Sequence, residues 1–117
     1  MFDLTGMTAL VTGASGGIGS AIARALAAQG ARLALSGSNA AKLRAFRDEL
    51  NDEFGHDHVE ITCDLSNTEQ VEHLVPATVD TLGKIDILVN NAGITRDNLA
   101  MRMKDEEWDA VMRINLE

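Results

Sequence analysis

The 117-residue chain carries 18 acidic against 10 basic residues, a formal net charge of −8, and 45% of it is hydrophobic. That balance argues against nucleic acid and anionic membrane surfaces as partners, and a single cysteine excludes an intrachain disulfide framework. With three Phe, one Trp and no Tyr, the core of what reads as one domain must be built from Val, Ile, Leu and Ala, as a parallel sheet beneath helices is.

Met7 to Thr12 is a short apolar run that predicts a buried strand, and Ser15 to Gln29 carries Ile18, Ile22, Ala25 and Leu26 at helical spacing. Between the two stands Gly13-Ala14-Ser15-Gly16-Gly17-Ile18-Gly19. Glycines at such a strand-to-helix turn predict a pyrophosphate site, because the amides of a helix start are unpaired and carry positive partial charge. Gly13 permits the tight turn, Gly17 lets a diphosphate approach the backbone, and Gly19 lets the helix pack close to the strand. The spacing is T-G-x-x-x-G-x-G rather than G-x-G-x-x-G, and a glycine-rich structural turn is the alternative reading.

Gln29-Gly30 supplies a helix stop, and Arg32 to Ser36 is the second predicted strand. Gly37-Ser38-Asn39 then caps a helix over Ala40 to Phe54 with Leu43, Phe46, Leu50 and Phe54 on one face. Gly55 to Asp57 breaks it, Val59 to Cys63 is the third strand, and Asp64-Leu65 leaves that strand. Ser66-Asn67-Thr68-Glu69 reads as a capping box with Ser66 at the cap. It starts a helix to about Leu82 with Val71, Leu74, Val75, Val79 and Leu82 inward, which Pro76 is expected to kink rather than stop. Gly83-Lys84 leads to a fourth strand, Ile85 to Asn90. Ile94 to Lys104 reads as a loop, and Asp105-Glu106-Glu107 as an acidic helix start with Trp108, Val111 and Met112 on the apolar face that follows.

Strands alternating with helices predict an α/β fold with a parallel sheet, right-handed crossovers and strand order 3-2-1-4. From Leu4 through Arg47 there is no acid, and five bases give that stretch +5, leaving −13 for the rest. Either these bases attract an anionic ligand or they solvate helix faces. His56, His58 and His73 lack metal-ligand spacing, so no metal site is expected. No run approaches the roughly 18 apolar residues of a membrane span, and Met1 to Gly6 has no signal-peptide core, so a soluble cytoplasmic protein is the expectation.

A second motif, Asp86-Ile87-Leu88-Val89-Asn90-Asn91-Ala92-Gly93, is another apolar strand ending in polar and small residues. Together with the glycine turn it resembles the short-chain dehydrogenase/reductase family, over about Gly6 to Asn115. The continuation Gly93-Ile94-Thr95-Arg96-Asp97-Asn98-Leu99 is similar to that of the family's 3-oxoacyl-[acyl-carrier-protein] reductases. The resemblance implies a single NAD(P)-binding Rossmann-type domain over 1–117, a three-layer sandwich that is the N-terminal part of a longer one, truncated after the fourth strand and the helix that follows. It implies reduction of an acyl-carrier-protein-linked 3-oxo substrate in fatty acid synthesis and a homo-oligomer, dimer or tetramer. A different ketone or alcohol substrate within the family is one alternative, and a non-catalytic, self-associating nucleotide-binding module is another.

For the cofactor, a family member selecting NAD would place an acid about twenty residues beyond the glycines. Here stand Ser36-Gly37-Ser38-Asn39, so NADP(H) is expected, with Ser38 beside the 2′-phosphate; Gly16 departs from the Arg of many NADPH-using members. By the same resemblance Gly13, Ser15, Gly16, Gly17, Ile18 and Gly19 hold the cofactor, and Asp64 bonds the adenine amine with help from the Leu65 amide. Asn91, Ala92 and Gly93 line the nicotinamide-side ribose. A turn or capping role is the alternative for Asp64, while Asn90 reads as a structural tie between strands. The pattern Trp108-x-x-x-x-x-Ile114-Asn115-Leu116 matches Asn115 to the family's catalytic asparagine, whose helix it bends and whose carbonyl holds a water; a plain helix asparagine is the alternative. The family's Ser and Tyr-x-x-x-Lys have no counterpart, so the chain alone is expected to be inactive. The strand Asp86 to Asn90 and the helix face of Trp108, Val111 and Met112 are expected to lack covers and to favour association.

Overall fold

The computed structural model describes residues 3–64 and 66–91 together with the backbone of 112–115. Its first strand, β1 (Thr8–Thr12), is buried at every position, and the chain then turns through Gly13 at φ +63°. Helix α1 is Gly17–Ala28, two residues shorter at its start than the apolar spacing predicts, because Gly16 is still extended at φ −81°, ψ 168°. Gly30 at φ +101° ends the return, and β2 (Arg32–Gly37) runs one residue beyond the predicted strand. Helix α2 (Ala40–Phe54) has the predicted bounds, with the Asn39 side chain accepting the Lys42 amide at 3.0 Å.

Strand β3 is Val59–Thr62, and α3 is Thr68–Leu82, continuous through Pro76 and ended by left-handed Gly83. The cap of α3 corrects the capping-box reading. Asn67 is the N-cap, accepting the Gln70 amide at 3.1 Å, while both the Ser66 amide and hydroxyl donate to Asp64 Oδ1 at 3.0 and 2.6 Å. Asp64 competes for the serine, so the next side chain with a carbonyl oxygen closes the helix. Strand β4 (Ile87–Asn90) follows, and β5 is Met112–Asn115.

The sheet is parallel with order β3-β2-β1-β4-β5. The first four strands keep the predicted order, and β5 is an addition. Met112, expected on a helix face, opens a strand that pairs Ile87↔Met112 through Asn90↔Asn115. Two further expectations change with it: β4 is flanked on both sides, and Asn115 stands in a strand. The reason is competition between local spacing and an available ladder, since an unpaired β4 edge offers four residues of parallel pairing. Residues 92–111 lie outside the described residues, and with them the loop Ile94–Lys104, the acidic helix start at Asp105 and the positions of Trp108 and Val111.

Each face of the sheet has its own apolar layer. Ala9, Val11, Leu33, Leu35, Ile87 and Val89 pack beneath Ala23 and Ala27 of α1 and Leu43 and Leu50 of α2. Leu10, Ala34 and Leu88 pack beneath Val71, Leu74 and Val75 of α3. Among the described residues no aromatic is one of the largest fully buried side chains, which are Leu, Val and Thr12. The alternation along each strand follows the two-sided burial of a doubly covered parallel sheet, and it leaves the carboxyl strand ends, where both motifs sit, as the open rim.

Candidate nucleotide-binding site

At that rim the glycine turn and the end of β4 are bonded into one unit. Thr12 Oγ1 accepts the Asn91 amide at 3.0 Å and lies 3.3 Å from both the Val89 carbonyl and Asn90 Oδ1 as a donor. Asn91 Nδ2 reaches back to the Gly13 carbonyl at 3.4 Å. Asn90 is buried, and its side chain meets a neighbouring strand as a structural tie would. On the other side, the Ala14 amide donates to the Ser36 carbonyl at 3.0 Å and the Cys63 amide to the Gly37 carbonyl at 2.9 Å. Thus β2, β1, β4 and β5 present their ends in one row, with Ser36, Thr12, Asn90 and Asn115 at the same register level.

Glycine is demanded at one position of the turn and merely open at another. A Cβ at Gly19 would overlap the Gly13 carbonyl oxygen and stand 2.8 Å from Asn91 Nδ2, whereas one at Gly17 would meet nothing within 4 Å. Gly19 is therefore fixed by helix-to-strand contact, and Gly17 faces free space above the turn. Helix α1 begins at Gly17 with no side-chain cap and no acid in its first turn. Its leading amides and dipole consequently face that space with no side-chain cap or first-turn acid among the described residues to answer them. Ile18 beside it is 63% exposed, the exposed large hydrophobic among the described residues. An uncapped helix start, a glycine with room above its backbone and an exposed apolar side chain fit a dinucleotide diphosphate.

Ser15 and Ser38 flank the end of β2. A Cβ at Gly37 would lie 3.5 Å from Ser15 Oγ, which places that hydroxyl over the β2 end, and Ser38 next to it is exposed. Asp64 stands at the end of β3, exposed, with one carboxylate oxygen taken by Ser66. The Ser66 hydroxyl and then its amide hold the Asp64 carboxyl below the usual carboxylate value, so it is an anion at neutral pH. The turn reading of Asp64 is thus present, and its second oxygen is directed at no described group. Leu65, Ala92 and Gly93 lie outside the described residues. Asn115 is brought opposite Asn90 by its backbone, in β5.

The basic stretch is partly neutralised. Arg24 joins Glu49 at 2.6 Å and also Glu53, and Arg47 joins Asp48 at 2.9 Å and Glu60 at 2.5 Å. Among the described residues Lys42 and Arg44 carry no ion pair, and both are exposed on α2, the helix that Ser38 and Asn39 lead into. Thr12 is the residue the sequence underplays: a threonine closing an apolar strand reads as a β-former, and only its place before Gly13 and its distance from Asn91 reveal the tie.

The family model described as short chain dehydrogenase matches residues 7–117. The chain belongs to the short chain dehydrogenase family. It is 51% identical over 116 residues to the 3-oxoacyl-[acyl-carrier-protein] reductase FabG of Rickettsia bellii, covering 99% of this chain and 45% of that protein. It is 50% identical to nodulation protein G of Rhizobium sp. strain N33, covering 99% of this chain and 46% of the relative. The chain therefore spans about half the length of the curated relatives it matches. Among solved structures, a metagenomic short-chain oxidoreductase in complex with NADP superimposes with TM-score 0.72 at 40% identity, covering 93% of this chain and 49% of that one. A short chain dehydrogenase/reductase from Burkholderia phymatum in complex with NAD gives TM-score 0.72 at 35% identity, covering 80% and 33%.

Proposed function

We propose that this chain is the cofactor-binding part of an NADPH-dependent reductase that acts on a 3-oxoacyl group carried by acyl carrier protein. The observation that carries the NADPH choice is the end of β2, where Gly37, Ser38 and Asn39 offer no carboxylate to bond a ribose 2′-hydroxyl or repel a 2′-phosphate. Lys42, exposed in the first turn of α2, adds a cation near that end. The acyl substrate is supported by the likeness to 3-oxoacyl-[acyl-carrier-protein] reductase. The likeness to nodulation protein G favours, as a second reading, a related reductase with another carbonyl substrate.

In this reading the amides of Gly17, Ile18 and Gly19 oppose the diphosphate charge, with Gly13, Ser15 and Gly16 shaping the turn beneath it. Asp64 accepts the adenine amine on the oxygen that Ser66 leaves open, helped by the Leu65 amide. Asn91, Ala92 and Gly93 line the nicotinamide-side ribose, and Thr12 fixes Asn91 in place. When bound, the nicotinamide supplies the hydride for the 3-oxo carbon. Asn115 belongs to the catalytic set by motif, and the proton for the carbonyl oxygen comes from residues other than these 117, which include no tyrosine. The complete enzyme is a cytoplasmic homo-oligomer.

Titration of the 117-residue chain with NADPH and NADH tests the cofactor choice; tighter NADPH supports it, and equal or tighter NADH overturns it. The substrate choice needs a longer chain that carries the Ser and Tyr-x-x-x-Lys. Turnover of a 3-oxoacyl-carrier-protein thioester supports it, and turnover confined to other ketones selects the second reading.

A further inference from the structure

The turn between α2 and β3 concentrates features that cofactor binding does not use. Gly55, His56 and Asp57 have φ of +77°, +79° and +52° in succession, a region that only the glycine enters freely. Three side-chain bonds hold it. Asn51 Oδ1 accepts the His58 amide at 2.7 Å, Asn51 Nδ2 donates to the His58 carbonyl at 3.2 Å, and Arg32 Nε donates to the Asp57 carbonyl at 3.3 Å.

His58 itself is 2% exposed, and its Nδ1 accepts the Leu33 amide at 3.0 Å. This bond closes the start of β2 against the approach to β3, one residue ahead of the Ala34↔Val59 pairing. Accepting at Nδ1 fixes the neutral tautomer with its hydrogen on Nε2, and Nε2 is buried without a hydrogen-bond partner. Among the described residues the ring is therefore held by a single hydrogen bond, which exists only while Nδ1 is unprotonated.

We propose that His58 is a proton-controlled latch on the β2–β3 edge of the sheet. Neutral, it accepts the Leu33 amide and keeps β3 docked. A proton from solvent on Nδ1 sets a donor against a donor, so the imidazolium leaves its site and releases the strained turn with the outer strand. The groups around it deepen the effect. Arg32 on β2 and His56, with its ring centroid 6.2 Å away, oppose a positive ring; Asp57 favours it, and α2 faces it with uncharged Asn51. Burial first, then His56 and Arg32, hold the docked ring down at about 4 from 6.5. Opening consequently begins as pH falls below the released ring's value. Because β3 is the outer strand of the described sheet, with β2 as its neighbour, its release does not require β1 or β4 to part.

Hydrogen exchange of the 117-residue chain at pH 7 and pH 5, corrected for intrinsic rates, reads the opening directly. For peptides covering Leu33 to Ser36 and His58 to Cys63 the opening constant rises roughly 20-fold between the two pH values, while β1 and β4 keep their protection. His58→Asn retains an acceptor near the Nδ1 position and cannot titrate, so its exchange lacks that rise. If this variant does not fold, the wild-type ring nitrogens and the Leu33 amide are followed by NMR, and loss of the Leu33 bond tracks protonation of Nδ1. The latch is overturned by pH-independent protection, by an equal rise in His58→Asn, by a rise shared with β1 and β4, or by Nδ1 protonation that leaves the Leu33 amide protected.

Discussion

The hydroxyl of Thr12 and the backbone amide of Asn91 meet at 3.0 Å, so one buried side chain joins the strand before the glycine turn to the residue after β4. Thr12→Val keeps the shape and leaves the Asn91 amide without its acceptor. An unmet amide of this kind costs about 1–3 kcal/mol, and Thr12→Ser restores most of it. Urea denaturation of the three proteins checks this. Wild-type stability in Thr12→Val would detach the two loops from one another.

The two glycines of α1 are expected to fail in opposite ways. Gly19→Ala drives a methyl into the Gly13 carbonyl and toward Asn91 Nδ2, an overpacking against backbone that costs roughly 1–3 kcal/mol. Gly17→Val meets open space, so its stability stays within about 0.5 kcal/mol of wild type, while the added side chain occupies the room proposed for the diphosphate. Thermal melts and NADPH titration separate the cases. A folded Gly17→Val protein with undiminished affinity would remove the glycine turn from the site.

At the end of β2, a carboxylate introduced by Ser38→Asp stands beside Gly37, where it bonds a ribose 2′-hydroxyl and repels a 2′-phosphate. The ratio of NADPH to NADH affinity is expected to fall by about tenfold, the equivalent of ~1.4 kcal/mol. Fluorescence titration with both cofactors measures it, and an unchanged ratio assigns selection to other residues.

How much of this was legible follows from where the determining contacts lie. Helix α2 is bounded by its own neighbours, Asn39 and Gly55, so its limits read straight from the sequence. The start of α3 does not, because Ser66 and Asn67 are both capping types and the choice turns on Asp64 claiming Ser66. Met112 has helical spacing with Trp108 and Val111, and nothing local reports the β4 edge that pairs it instead. Likewise, the acid-free stretch promises a positive field, but the partners of Arg24 and Arg47 lie downstream at Asp48, Glu49, Glu53 and Glu60. Local chemistry was readable; choices settled by distant segments were not.

Below the rim, Asp86 closes the opposite end of the sheet: its Oδ2 accepts the Thr8 amide at 2.9 Å and pairs with Lys84 Nζ at 2.9 Å. Burial pushes its carboxyl up, but the Thr8 amide and Lys84 outweigh it and hold the value below 3.8. A group depressed in the folded state contributes stability above its unfolded value and loses it as pH falls through the folded one. Asp86→Asn therefore costs about 1 kcal/mol at pH 7, and the difference from wild type shrinks below pH 3.8. Urea midpoints of both proteins across that range decide it; a constant difference would mean that the carboxylate charge is not involved.

The 117-residue chain should bind its cofactor without turning over substrate. The proposed reduction needs an acid at the carbonyl oxygen, and positioned acids contribute about 10²- to 10⁴-fold. None of the 117 residues is a tyrosine, and among the described site residues the Thr12 hydroxyl already donates toward the Val89 carbonyl and Asn90 Oδ1 while Asp64 is held as an anion by Ser66. Neither can donate a proton at neutral pH. Loss of reduced-cofactor absorbance on mixing the chain, NADPH and a 3-oxoacyl thioester is the measurement. No loss above the enzyme-free rate is expected, with NADPH binding intact in the same sample. Cofactor-dependent turnover would show that a donor within these residues serves the carbonyl and would overturn the division of labour proposed for the site.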